Sequence, residues 1–172
     1  MKTSTKFLAS AVAAVAILFG TQVKAQTTSD SPWRLGIGVE GIAPVGKLHD
    51  ASNIGIGGTA RLQYGADKGL AYTLTSGYYN LFPKGNSGLS SAGIVPVKVG
   101  IKAYFVDKFY FGAEAGAGFE TTGLNKNTKL LLSPGLGYSN HSWDVGARYE
   151  NFSGQSNNYG FAALRVAYGF GL

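Results

Sequence analysis

Apolar and polar residues alternate along most of this chain. Val97 and Val99, for example, alternate with Lys98 and Gly100. Successive side chains of a β-strand point to opposite faces, so this pattern predicts strands with one apolar face and one polar face. The eight predicted strands cover residues 33–43, 54–64, 70–78, 95–105, 109–120, 129–138, 143–150 and 161–172. A tilted strand of about ten residues is long enough to cross a bilayer.

The connections between the predicted strands fall into two classes, three short turns and four longer segments rich in Gly, Ser and Asn. The short turns are 65–68, 106–108 and 139–141, and the longer segments are 44–53, 80–93, 121–127 and 151–158. Outer-membrane barrels have short turns on the periplasmic side and longer loops outside. The pattern therefore predicts an all-β fold, an eight-stranded antiparallel β-barrel with both termini on the periplasmic side.

Alternation alone leaves open which face of the barrel is inside, because a soluble lipocalin-like barrel would bury the apolar face. Composition distinguishes the two possibilities. Only 14% of the chain is Asp, Glu, Lys or Arg, against about 25% in ordinary soluble domains. Aromatic residues such as Trp33 and Trp143 fall at strand ends, as in the interfacial belts of membrane proteins. The composition favours a transmembrane barrel with its apolar face toward lipid.

The N-terminus has the order of a secretory signal peptide. Two lysines accompany the start of an apolar run over residues 7–20, and Ala25 supplies a small residue for cleavage. The apolar run is shorter than the roughly 20 residues that a membrane-spanning helix needs. We therefore predict a signal peptide over residues 1–25 and a barrel domain over 26–172, with the mature chain beginning at Gln26.

Ionic residues of both signs lie on the polar face of the predicted strands. The cations are Arg34, Arg61, Lys98, Lys102, Lys129, Arg148 and Arg165, and the anions are Glu40, Glu114, Glu120, Asp144 and Glu150. An eight-stranded barrel is just wide enough for side chains to fill it. Since isolated charges in such an interior cost several kcal/mol, we expect these residues to form a lumen ion network. We expect Glu120 to lie at the rim and to face water.

The assignment of faces makes specific expectations for single positions. Leu132 and Val145 should face lipid, whereas Glu114 and Arg148 should face the lumen. Arginine should therefore be tolerated at Gly116 on the inner face and should impair folding at Leu132.

The last part of the eighth predicted strand, residues 165–172, carries Tyr168, Phe170 and Leu172 on its apolar face. This ending and the whole pattern from about residue 33 resemble the small eight-stranded outer-membrane β-barrels of the OmpX and OmpA transmembrane-domain kind, often grouped as a porin family. The resemblance implies a Gram-negative outer-membrane location and a C-terminal signal, Tyr168, Phe170 and Leu172, for the barrel-assembly machinery. The chain differs from the usual pattern because Leu172, and not an aromatic residue, is terminal.

The predicted function is that of an integral outer-membrane protein with a structural or surface-interaction role. The expected partners are outer-membrane lipid, lipopolysaccharide and an extracellular partner bound by the long loops. Lys47, Lys84 and Lys126 could meet anionic head groups, although ordinary solvated loop charge explains them equally well. The alternative function is passage of a small solute or hydrophobic ligand, as in a porin-like channel.

Other functions find little support in the sequence. His49 and Asp50 fall in the first long loop, whereas His141 and Ser142 fall in the third short turn, at the opposite end of the barrel. A nucleophile, base and orienting acid must lie within hydrogen-bond reach of one another, so no enzymatic activity is predicted. With no Cys and two His, no metal or cofactor is predicted either.

Two further patterns resemble binding motifs. Residues 36–41 match G-x-G-x-x-G, but a dinucleotide site needs a helix after it, and glycines of a narrow lumen explain the match better. The basic residues are dispersed singly, without the cluster that a nucleic-acid-binding surface shows. No nucleic-acid partner is predicted.

Overall fold

The computed structural model describes residues 32–46, 48–49, 52–65, 69–84, 91–122, 127–154 and 158–172. The predicted signal peptide lies outside the described residues. Eight strands form: β1 Trp33–Val45, β2 Ser52–Tyr64, β3 Leu70–Pro83, β4 Ala92–Val106, β5 Phe109–Thr122, β6 Thr128–Ser139, β7 Trp143–Ser153 and β8 Tyr159–Gly171. In the described part of the chain, no helix is both long and apolar enough to cross a membrane.

The eight strands form one closed antiparallel barrel in which each strand pairs with the next along the chain. β8 closes the barrel by pairing with β1, from Arg34↔Gly171 to Val45↔Gly160. Closure satisfies the backbone groups that the edge of an open sheet would expose. The predicted eight-stranded antiparallel β-barrel is confirmed.

The strands are longer than predicted, with 11 to 15 residues each. The predicted loop 80–93 shortens to 84–91 because β3 and β4 both extend into it. Leu81 and Ala92 pair across these extensions and are buried inside the barrel. The Gly and Ser residues between the strands predict a loop here, but burial of the apolar side chains keeps the backbone in the sheet.

The connections distinguish the two ends of the barrel. The end that holds the start of β1, the end of β8 and the connections 65–69, 107–108 and 140–142 is here called the turn end. The opposite end, called the loop end, holds the connections 46–51, 84–91, 123–127 and 154–158. The difference in length between the two sets is smaller than predicted, since all four longer segments lose residues to the strands.

The two faces of the strands lie as the alternation predicts. Leu132 and Val145 are 45% and 37% exposed on the outer surface, whereas Glu114 is 7% exposed in the interior. One expectation is wrong, because Gly116 cannot accept a side chain. A Cβ atom there would lie 2.0 Å from the carbonyl oxygen of Val97, on the backbone of the neighbouring strand.

Aromatic side chains pair across neighbouring strands on the outer surface of the turn end. Such belts are typical of the boundary between lipid tails and head groups, where a ring can contact both phases. The pairs are Trp33 with Tyr64, Phe105 with Phe111, Phe109 with Tyr138 and Trp143 with Tyr168, at ring-centroid distances of 4.8, 4.6, 5.2 and 5.4 Å.

Candidate functional site

The lumen is the candidate site, and its middle is filled by nine charged side chains, called here the charged ring. Eight of them form a closed circuit of ion pairs in which positive and negative charges alternate. In order, they are Arg61, Glu114, Lys98, Glu150, Arg148, Glu40, Arg165 and Asp144, which returns to Arg61. The ninth, Lys102, pairs with Asp144.

Glu150 is a carboxylate of the ring and is fully buried. Its Oε1 atom accepts hydrogen bonds from Lys98 Nζ at 2.5 Å and from Arg148 Nε at 2.6 Å. The hydroxyl of Tyr79 donates to the same oxygen at 3.1 Å. A buried carboxylate needs charged and hydrogen-bonding partners of this kind to offset its lost hydration.

Neutral hydroxyl groups complete the ring from strands that carry none of its charges. Thr75 on β3 donates to Glu114 Oε1 at 2.6 Å and accepts from Arg61 Nε at 2.9 Å. Ser133 on β6 approaches Glu150 Oε1 at 3.5 Å. With these contacts, side chains from all eight strands meet in one network across the lumen.

Tyr110 lies beneath the ring, toward the turn end. Its hydroxyl donates to Asp144 Oδ1 at 3.0 Å, and Lys102 Nζ lies 4.3 Å from the centre of its aromatic ring. Gly137 and Gly146 make room for it, because a Cβ atom at either position would lie 2.5 or 2.9 Å from the Tyr110 hydroxyl oxygen. These lumen glycines therefore accommodate a particular aromatic side chain.

Above the ring, toward the loop end, the lumen is closed by a cluster of apolar side chains, called here the apolar plug. The ring of Phe161 packs against Tyr79 at 5.7 Å and against Phe152 at 5.2 Å. The plug consists of Ile42, Tyr79, Leu81, Ala92, Ile94, Leu131, Phe152, Phe161 and Ala163, none more than 8% exposed.

Sequence reasoning missed the plug, although the sequence contains a signal for it. Leu81 and Phe152 lie at inward-facing positions of β3 and β7, where polar residues stand elsewhere in the same strands. An apolar residue in the inward phase indicates a dry stretch of lumen.

Arg34 and Lys129, two of the residues assigned to the lumen network, lie outside the ring. Arg34 Nη1 donates to Ser139 Oγ at 3.3 Å near the turn end. Lys129 is 2% exposed, and its Nζ lies 5.9 Å from the centre of the Tyr159 ring near the loop end.

Glu120 also lies outside the ring, and the expectation that it faces water is wrong. It is 7% exposed and accepts hydrogen bonds from the Tyr159 hydroxyl at 2.8 Å and from the Asn127 backbone N–H at 3.3 Å. Through these two hydrogen bonds, Glu120 links Tyr159 of β8 to Asn127 of the β5–β6 connection.

The three residues of the predicted assembly signal lie together on the outer surface of the turn end. Tyr168, Phe170 and Leu172 are 42%, 44% and 51% exposed. The ring of Tyr168 lies between those of Trp143 and Phe170, and the N–H of Leu172 donates to the Trp33 carbonyl oxygen at 3.1 Å. A recognition role for this surface stays a prediction.

The two histidines lie at opposite ends of the barrel, His49 in the β1–β2 connection and His141 in the β6–β7 connection. Among the residues that the structure describes, no three His, Asp or Glu side chains are grouped so that they could hold a metal ion. Asp50, Lys47 and Lys126 lie outside the described residues.

Neither a protein-family model nor a curated protein matches the chain. Solved structures do match. Ail, the attachment invasion locus protein of Yersinia pestis, aligns with a TM-score of 0.60 and 16% identity, covering 82% of this chain and 99% of Ail. The N-terminal β-barrel domain of Pseudomonas aeruginosa OprF aligns with a TM-score of 0.55 and 15% identity, covering 80% of this chain and 97% of that domain.

A third similar structure is Neisserial surface protein A, with a TM-score of 0.52 and 14% identity, covering 83% of this chain and 98% of that protein. At these identities the likeness concerns the fold. The fold of this chain is that of the small eight-stranded outer-membrane β-barrels.

Proposed function

We propose that this chain is an integral protein of the Gram-negative outer membrane that acts at the cell surface, in a structural or interaction role and without catalysis. The observation that carries the proposal is a closed barrel with an apolar outer surface and a lumen filled by the charged ring and the apolar plug. A barrel of this kind has its charges where lipid cannot reach them.

The outer surface supports the membrane location. Val39, Val99 and Leu136 are 63%, 61% and 59% exposed, and they belong to a band that continues around the barrel. Monomeric soluble proteins rarely expose a contiguous apolar patch above a few hundred Å². Lipid tails remove the cost of exposing such a band to water.

The filled lumen favours a function other than transport. A hydrated ion on the barrel axis would have to separate the ion pairs of the ring and then cross the dry apolar plug. Hydrophobic constrictions stop ions by excluding water. Function is therefore assigned to the outer surface, where the loop end would contact lipopolysaccharide or an extracellular partner, and no nucleic-acid partner is proposed.

Export by the N-terminal signal peptide and recognition of Tyr168, Phe170 and Leu172 by the barrel-assembly machinery belong to the same proposal. The names of two similar proteins, an attachment invasion locus protein and a surface protein, agree with a role at the surface. Both of those proteins align over nearly their whole length.

Cysteine labelling in intact cells tests the proposed location and orientation. The chain has no Cys, so each variant carries a single thiol. Lys84→Cys, exposed beside the end of β3 at the loop end, should react with a membrane-impermeant maleimide. His141→Cys, exposed at the turn end, should react only after the outer membrane is permeabilised.

The reverse labelling pattern would contradict the orientation, and recovery of the unlabelled protein in the soluble fraction would contradict the membrane location. Fractionation of both variants beside the wild-type protein shows whether the substitutions themselves disturb assembly.

A further inference from the structure

The charged ring contains one more cation than it has anions. Five cations and four carboxylates take part, which leaves a surplus of one positive charge in the ring. A buried charge without a counter-ion is strongly unfavourable, because its hydration is lost and nothing replaces it. The surplus needs a compensating group within the lumen.

A cavity lies beside the part of the ring where this surplus is concentrated. The space that water centres can occupy there is about 30 Å³, which is room for roughly two water molecules. Four ring cations and two ring carboxylates line it, namely Arg61, Lys102, Arg148, Arg165, Glu114 and Asp144.

The cations at this cavity have hydrogen-bond donors to spare. The Nη1 groups of Arg61 and Arg165 approach Asp144 Oδ1 only at 3.8 and 3.5 Å, and neither makes a hydrogen bond within the described residues. Lys102 Nζ has three N–H donors, and its one acceptor there is Asp144. These donors approach Asp144 from three different strands, and Arg61, Arg165 and Lys102 all line the cavity.

We propose that this cavity binds a small monovalent anion of the halide class, such as chloride. The anion would balance the ring and accept hydrogen bonds from the unused N–H groups of Arg61, Arg165 and Lys102. Sulfate carries two negative charges, one more than the surplus of the ring, so a monovalent anion is the better match. A metal cation would face four positive side chains.

The proposal predicts that halide stabilises the folded barrel through Lys102. Purified protein in detergent micelles is unfolded with urea in sodium bromide or in sodium methanesulfonate at equal ionic strength. The wild-type midpoint should rise with bromide concentration and saturate, because the anion binds the folded state alone. Lys102→Met balances the ring at four charges of each sign, so its midpoint should be the same in both salts.

Lys84→Met is the matched control, since it removes an exposed lysine far from the ring and should keep the bromide dependence. A wild-type midpoint that is independent of bromide, or a dependence that persists in Lys102→Met, would overturn the proposal. If Lys102→Met does not fold, wild-type crystals grown in bromide decide the question. An anomalous peak between Arg61, Arg165 and Lys102 supports the site, and its absence overturns it.

Discussion

Replacement of Leu132 by Arg should make folding into bilayers less favourable by about 2 to 4 kcal/mol, the cost measured for arginine at mid-membrane positions of such barrels. Leu132 is 45% exposed on the outer surface and pairs with Ala115 near the middle of β5. The charge would therefore lie at the depth where lipid offers no hydrogen-bond partner. Urea unfolding from lipid vesicles measures the difference.

Leu70→Arg is the matched control for depth. Leu70 is 47% exposed on the same outer surface, but it is the first residue of β3, at the turn end. Arginine near the interface costs about 0 to 1 kcal/mol. Equal losses at Leu132 and Leu70 would contradict the depths assigned to the two positions, and small losses at both would contradict contact with lipid.

The second large effect is expected from Glu150→Gln, which should destabilise the barrel by about 3 to 5 kcal/mol. Glu150 is fully buried between Lys98 and Arg148, and the substitution removes its charge while keeping its shape. Both cations would then lack this carboxylate in an interior that already carries a surplus of positive charge. The same vesicle unfolding measurement applies.

Glu120→Gln is the control, because Glu120 is also buried but accepts its two hydrogen bonds from neutral donors, Tyr159 and Asn127. The two donors use different oxygens, but the amide oxygen of Gln can accept from the Asn127 N–H while its NH2 group donates to the Tyr159 hydroxyl oxygen, so the loss should be small. The double variant Lys98→Met/Glu150→Gln should lose less than the sum of the single variants, since it removes partners of one network. Equal losses from Glu120→Gln and Glu150→Gln would contradict the importance of the ring.

The sequence predicts the strands and their faces because side-chain alternation is a local property. Lys98 and Val99, for example, are adjacent, and their opposite exposure follows from the pleat alone. The closed barrel follows from the number of such strands and from the absence of any other regular pattern.

Contacts across the lumen cannot be predicted in the same way. Glu40 on β1 pairs with Arg148 on β7, although these strands are not neighbours in the sheet. Such a pair depends on the stagger of every strand between them, which alternation does not specify. The sequence therefore identified the charges of the lumen, but it could not tell that nine of them form a ring.

Depth along the barrel is the other quantity that periodicity leaves open. Ile42 and Glu40 share the inner face of β1, yet one belongs to the apolar plug and the other to the charged ring. For the same reason, the alternation predicts strands that stop short of the loop end, where the sequence is rich in Gly and Ser. Packing of Phe152 and Phe161 inside the loop end decides how far the strands continue.

The central claim is that the lumen is closed by the ring and the plug, and single-channel recording tests it most directly. Wild-type protein inserted into a planar bilayer should give no stable conductance steps over a wide range of voltage and salt. If steps occur, Lys98→Met shows whether they arise in this lumen, because loss of a buried ring charge should alter their size or ion selectivity. The closed lumen predicts a silent wild-type protein, whereas stable steps that change in Lys98→Met would contradict it and favour passage of small solutes.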